Sequence, residues 1–340
     1  MELSSQPNNS VLSAAQQNLR VQKAITLMGI VLLVIKLVAW YLTNSISILT
    51  DALESIVNVV AGFIGIYSLR LSAQPKDTNH PYGHGKIEFL SAAIEGSLIG
   101  VAGMMIIYHA ILHVLNPHEI KELDWGIVLV SATAVLNYTA GWYCIKTGKQ
   151  NQSEALIASG KHLQTDTYST LGIVLGLFAI LLLKIWWLDS AVALVFALLI
   201  LYTSYQIIRS SVAGIMDEAD EKLVAELVDL LQNNRNENWV DVHNLRIIKY
   251  GGTLHIDGHL TVPWYFNVHE AHREIDTVQA IIRKHFGDRI ELFLHNDGCL
   301  PFSCSICAKS HCPERKAPFE QEIQWNLSNS TSNEKHRLPH

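Results

Sequence analysis

Long apolar stretches fill the first two-thirds of the chain, and short periodic ones fill the last third. Six stretches, roughly 24–43, 46–69, 88–115, 124–145, 154–183 and 186–208, are each long and apolar enough to cross a bilayer as a helix. Residues 24–69 contain only Lys36, Asp51 and Glu54 as charged side chains. The pattern changes after Ser210. Residues 218–232 repeat apolar positions at helical spacing, with Leu223, Leu227, Leu230 and Leu231 on one face. Residues 242–249 and 253–262 read as two strands around a Gly251–Gly252 turn. Helical spacing returns over 267–286, and 289–295 (RIELFLH) alternate again. The expected architecture is a membrane all-α bundle of six transmembrane helices followed by a small α/β domain. That domain has the order α-β-β-α-β, a ferredoxin-like open sheet covered by two helices.

Charge gives this plan an orientation. Six spans put both termini on one side. Arg20, Lys23, Arg70, Lys76, Lys86, Lys146, Lys149 and Arg209 lie on that side, against mainly Lys121 and Lys184 opposite. An excess of basic residues marks the cytoplasmic face, so both termini are expected there. Of the 340 residues, 49% are hydrophobic and only 16% charged, below the usual charged share of about 25%. The net charge of −6 argues against a nucleic-acid partner. The first twenty residues are polar and lack the apolar core of a cleavable leader. The expected divisions are a polar tail over 1–20, a six-span domain over 21–210, a cytoplasmic domain over 211–298, and a cysteine-rich segment and disordered tail over 299–340.

Several ionisable residues fall inside the apolar stretches. Glu54 and Asn58 stand four apart in the second, and His162 and Asp166 four apart in the fifth. Residues at i and i+4 project from one helix face, so two such pairs on facing helices make a four-donor site, one nitrogen among oxygens. A carboxylate at the bilayer centre costs roughly 2.5–3.5 kcal/mol, and a divalent cation supplies a reason for two of them. Asp51, one turn before Glu54, is a further candidate. In the loop between spans two and three, PKDTNHPYGHGKIE, Asp77, His80 and His84 form a three-ligand set of the kind that holds Zn²⁺. In the final third, His255, Asp257 and His259 alternate along one strand and share a face. His269 and His272 are three apart on a helix, and His295-x-Asp297 ends the last strand.

Six spans, paired polar residues in the second and fifth, and that histidine loop together resemble the cation diffusion facilitator family of metal–proton antiporters, over about residues 20–300. The resemblance implies a transport site of Glu54, Asn58, His162 and Asp166 at mid-membrane, and a second site of Asp77, His80 and His84. It further implies metal ligation by His243, His259, His272, His295 and Asp297 between the cytoplasmic domains of a homodimer. His255 and His269 do not match that pattern and are expected to face solvent. Lys86 and Asp217 match an ion pair joining the two domains. His162-x-x-x-Asp166 fits the family directly, whereas Glu54 and Asn58 replace its usual Asp or His followed by Asp. One nitrogen among oxygens admits Fe²⁺, Co²⁺ and Mn²⁺ besides Zn²⁺. The implied activity is export of a divalent cation in exchange for protons, from a multi-pass protein of the bacterial inner (plasma) membrane.

Four of five cysteines crowd into CLPFSCSICAKSHC. Cys299, Cys304, Cys307 and Cys312, with His311, offer soft donors for a metal, and a redox-sensitive thiol cluster is the alternative. Cys144 reads as packing. No phosphate-binding Gly-rich Lys loop occurs, which argues against direct nucleotide drive. A metal-dependent membrane hydrolase and a non-conducting metal sensor are the rival functions; the first would need a base or nucleophile beside the metal, and none stands out.

Overall fold

The computed structural model describes residues 9–43, 46–115, 124–183 and 187–338. Inside some helices the side chains lie outside that description, Asp51 and Glu54 among them, and so do the loops carrying Lys121 and Lys184. The chain divides into two compact units, Met1–Met216 and Asp217–His340.

The first unit holds six long helices among the described residues: α1 (Asn9–Thr43), α2 (Ile46–Ser72), α3 (Ile87–Leu115), α4 (Asp124–Asn151), α5 (Glu154–Leu183) and α6 (Trp187–Ile215). Each contains or nearly matches a predicted apolar stretch. Among the described residues, two segments, over Ser13–Val38 and Ile87–Leu112, meet the length and apolarity needed to cross a membrane. The segment expected as a polar tail over 1–20 differs: from Asn9 it is helix. At the end of α4, Asn151 donates its Nδ2 hydrogens to Gln17 Oε1 at 3.1 Å and Asn18 Oδ1 at 2.6 Å. Val21 packs beside Leu69, Cys144 and Leu156. These polar residues find partners on another helix, which local polarity does not reveal.

The polarity of this unit is inverted. Leu27 (63% exposed), Val31, Val34, Val38 and Tyr41 (77% exposed) line the outside of α1, while Gln22, Thr26, Glu95, Asn137, Ser159 and His162 are buried within. Apolar outside and polar inside is the arrangement a hydrocarbon solvent favours. Close approach of helices supplies the packing. A Cβ placed on Gly160 of α5 would stand 2.8 Å from both Cys144 Cβ and the Gly141 carbonyl oxygen of α4, so only hydrogen fits there.

In the second unit α7 (Glu221–Asn233), β1 (Asp241–Tyr250), β2 (Thr253–Val262), α8 (Val268–Phe286) and β3 (Ile290–Gly298) follow the expected order. The sheet order is β1-β2-β3, antiparallel then parallel, with α8 as the crossover. Asp220 caps α7 by accepting from Leu223 N–H, and Asn267 with Glu270 forms a capping box on α8. The buried face of α7 is Val224, Leu227, Val228 and Leu231. They meet Val278 and Ile282 of α8 and Leu245, Ile256 and Leu260 of the sheet in one core.

The tail expected to be disordered is folded onto this unit. Trp325, 4% exposed, belongs to the same core. Arg235 stacks over its ring at 4.1 Å, donates to Ile323 O at 2.8 Å, and pairs with Glu322 at 3.1 Å. A short helix, α9 (Leu327–Ser330), follows. At a register break in β1, Asn244 adopts φ 53° and donates its N–H to Ser332 O at 2.6 Å. Trp325, with Leu327 packed against the same core, overrides the polar composition around it.

Candidate metal centres

α2 and α5 carry the two predicted i, i+4 pairs. Glu54 and Asp51 belong to α2, with side chains outside the described residues. The other three donors come together. His162 Nε2 lies 2.6 Å from Asn58 Oδ1, and Asn58 Nδ2 donates to Asp166 Oδ2. His162 Nε2 is 4.0 Å from Asp166 Oδ1. The Asn58 amide thus bridges imidazole and carboxylate across two helices. The other ring nitrogen, His162 Nδ1, is buried with no hydrogen-bond partner. An unpartnered buried nitrogen is costly. One imidazole, one amide oxygen and one carboxylate suit a divalent transition-metal cation as cargo.

Sequence reasoning does not single out two buried carboxylates of α3. Glu88 accepts from Ser72 Oγ at 2.8 Å and Ser153 Oγ at 2.5 Å. Glu95, 0% exposed, accepts from Ser159 Oγ at 3.0 and 3.1 Å. Their seven-residue spacing, two helical turns, is the signal that could have found them. Ser159 lies one turn before His162 on α5. Lys36 of α1 donates to Ser55 Oγ of α2 at 2.8 Å, next in sequence to Glu54.

The loop from α2 to α3 folds around Asp77. Its Oδ1 accepts from the backbone N–H of His80 at 2.6 Å and of Asn79 at 2.9 Å. His80 Nδ1 stands 3.1 Å from the same oxygen, and His84 Nε2 stands 3.3 Å from Oδ2. Gly83 adopts φ 96°, which a side chain would resist. The His80 N–H bond chiefly holds the Asp77 carboxyl below its usual range, with burial opposing and the His80 ring and Asn79 N–H assisting. Asp77, His80 and His84 form one of two sets among the described residues whose three donor atoms lie within 4.8 Å of one another.

The second set is His243, His259 and Asp297. Strand register builds it: His243 faces His259 across β1 and β2, and His259 faces His295 across β2 and β3. Adjacent rings in this row are 5.0 Å apart. Asp297 Oδ2 lies 3.1 Å from His259 Nδ1 and 3.3 Å from His243 Nε2, and Oδ1 lies 3.5 Å from His295 Nε2. Burial alone would raise the Asp297 carboxyl, but the bond with His259 and the charges of Lys335, His259 and His243 hold it below its usual range. His272 is exposed on α8, 3.8 Å from Asp276, and is not among these gathered donors. His269 is exposed, as expected. His255 corrects the expectation of a solvent-facing side chain: it is 2% exposed, 3.4 Å from Glu291 and 5.0 Å from the Tyr250 ring. The parallel partner β3 brings Glu291 opposite it.

Cys299, Cys304, Cys307 and Cys312 are free thiols in a folded segment. Arg315 gathers the carbonyls of Cys304 at 2.9 Å, Cys307 at 3.0 Å and Lys309 at 2.6 Å. Lys316 donates its N–H to Cys304 Sγ at 3.3 Å. Burial, then the neighbouring thiols of Cys312, Cys299 and Cys307, pushes the Tyr265 phenol up to about 12. These thiols and His311 do not form a donor set as tight as the other two among the described residues. Lys86 belongs to the first unit and donates to Ile215 O at 3.4 Å, while Asp217 opens the second.

Residues 23–216 match the family described as the cation efflux transmembrane domain, and residues 219–299 match the cation efflux protein cytoplasmic domain. An uncharacterised transporter of Synechocystis is 31% identical over 261 residues, covering 76% of this chain and 84% of its own. The cation-efflux pump FieF of Escherichia fergusonii is 30% identical over 285 residues, with 81% and 91% covered. FieF of Citrobacter koseri is 31% identical over 287 residues, again with 81% and 91% covered. With both domains matched in order along the chain, this protein belongs to the cation efflux, or cation diffusion facilitator, family of membrane transporters.

Proposed function

We propose that this transporter exports a divalent transition-metal cation, Zn²⁺ foremost, from the cytoplasm in exchange for protons by alternating access. The observation that carries the reading is the Asn58–His162–Asp166 junction between α2 and α5 inside the bundle. Glu54, four residues before Asn58 in the sequence, is the fourth donor of this proposal. A cation needs the imidazole neutral, and an imidazole is the side chain that exchanges its proton near neutral pH. Protons arriving from outside therefore compete with the cation for His162, which couples the two fluxes.

Six spans with both termini cytoplasmic, in a bacterial plasma membrane, fit this direction of transport. Asp77, His80 and His84 hold a second cation. His243, His259, His295 and Asp297 hold metal on the soluble domain, with His272 contributed across a homodimer. Metal there makes transport respond to cytoplasmic metal. The cysteine segment is a further metal-binding element. Fe²⁺, Mn²⁺ and Co²⁺ are the alternative cargoes, admitted by a site with one nitrogen among oxygens.

The test is uptake into proteoliposomes loaded with a Zn²⁺-sensitive dye, with and without an imposed pH gradient and with Fe²⁺, Mn²⁺ and Co²⁺ as competitors. Gradient-driven Zn²⁺ accumulation that resists the competitors is expected. Binding without flux would replace the transporter by a metal sensor.

A further inference from the structure

The folded tail ends on the soluble domain's donor cluster. Lys335 Nζ lies 3.5 Å from Asp297 Oδ2 and donates to Gly298 O at 3.1 Å. His336 donates its N–H to Asp241 Oδ2 at 3.1 Å, and its Nδ1 stands 2.6 Å from Asp241 Oδ1. Asp241 is buried at the start of β1, and its Oδ2 lies 3.1 Å from His243 Nδ1. The other nitrogen of that ring, Nε2, faces Asp297. Two consecutive tail residues thus grip the two carboxylates on either side of His243.

One oxygen, Asp297 Oδ2, is shared by His243, His259 and Lys335. A divalent cation held by His243, His259 and Asp297 would take that oxygen and repel the ammonium beside it. Asp241 holds His243 by its Nδ1 and leaves Nε2 free for the cation, the usual work of an outer carboxylate on a metal-binding histidine. We propose that the tail over Ser332–His336 is an internal competitor of this metal cluster: Lys335 neutralises Asp297 while metal is absent, and metal binding expels Lys335 and loosens the tail. Asp241 is the positioning residue that couples His336 to His243. The inference rests on the reading of His243, His259 and Asp297 as metal ligands.

The full-length chain in detergent tests it with Zn²⁺ alone as the probe. The component of Zn²⁺ binding lost in His243→Ala defines the cluster. Lys335→Met keeps the stem and removes the charge, and should tighten that component about two- to fivefold. Lys335→Arg should stay within about twofold of wild type, since it keeps the charge. Hydrogen exchange over residues 332–338 should quicken when Zn²⁺ is added, without a change in the β1–β3 amides. If Lys335→Met leaves the component unchanged, or Zn²⁺ protects the tail instead, the competitor is refuted while the metal cluster stands. If His243→Ala removes no binding, the metal reading fails and takes the competitor with it.

Discussion

The two units solve opposite solvent problems with one chain. In the first, apolar side chains such as Leu27, Val31 and Val34 face outward, and Gln22, Glu95, Ser159 and His162 are enclosed. In the second, Leu227, Leu245, Ile256 and Leu260 are enclosed, and polar residues such as Asp257 and His269 lie outside. Lipid gives helices no hydrophobic reason to associate, so the membrane unit depends on close packing and hydrogen bonds. Polar side chains are then structural members of its interior, and a transport site can be built from them. The soluble unit keeps its centre apolar, so its donors occupy one row across the sheet, where Lys335 and His336 of the folded tail reach Asp297 and Asp241.

This contrast can be broken by substitution. Trp325→Ala removes the tail's anchor from an apolar core and should cost the soluble unit about 3–5 kcal/mol. Hydrogen exchange of the β1–β3 amides would show it as lost protection. Unchanged protection would mean the tail rests on the unit without supporting it. Gly160→Val in the membrane unit introduces atoms where none fit, and should cost roughly 1–3 kcal/mol by overpacking. Thermal unfolding in lipid nanodiscs measures it. Asp220→Ala removes the α7 cap and its 2.7 Å pair with Lys249, for about 1 kcal/mol, read as fraying of the first α7 amides. Leu27→Ala, equally apolar but lipid-facing, should stay within about 0.5 kcal/mol in the same nanodiscs. A loss comparable to a core truncation there would mean that this face of α1 packs on protein.

What could be read from the sequence in both units is what near neighbours along the chain determine. The long helices were readable because length and apolarity are local properties. The strands and helices of the soluble domain were readable from alternation and turn signals, and so was the pairing of His162 with Asp166. What sequence could not show depends on partners distant along the chain. His255 is buried because β3 sets Glu291 opposite it. Leu230 gives way to Val228 on the buried face of α7 because of where that helix meets the sheet. Glu88 and Glu95 gain meaning from serines on α2, on α5 and just before α5. The tail folds because Arg235 and one tryptophan meet.

In the proposed division of labour, cargo crosses at Asn58, His162 and Asp166, and the soluble cluster sets the response to metal. Zn²⁺ uptake into proteoliposomes, comparing Asp166→Asn with Asp297→Asn over a range of cytoplasmic-side Zn²⁺, tests it most directly. Changing even an outer partner of a metal ligand costs roughly 10- to 100-fold, so Asp166→Asn should lower the maximal rate about a hundredfold or more. Asp297→Asn should keep the maximal rate and change only the Zn²⁺ concentration giving half of it. Normal flux in Asp166→Asn, or an equal collapse of the maximal rate in both, would contradict the account.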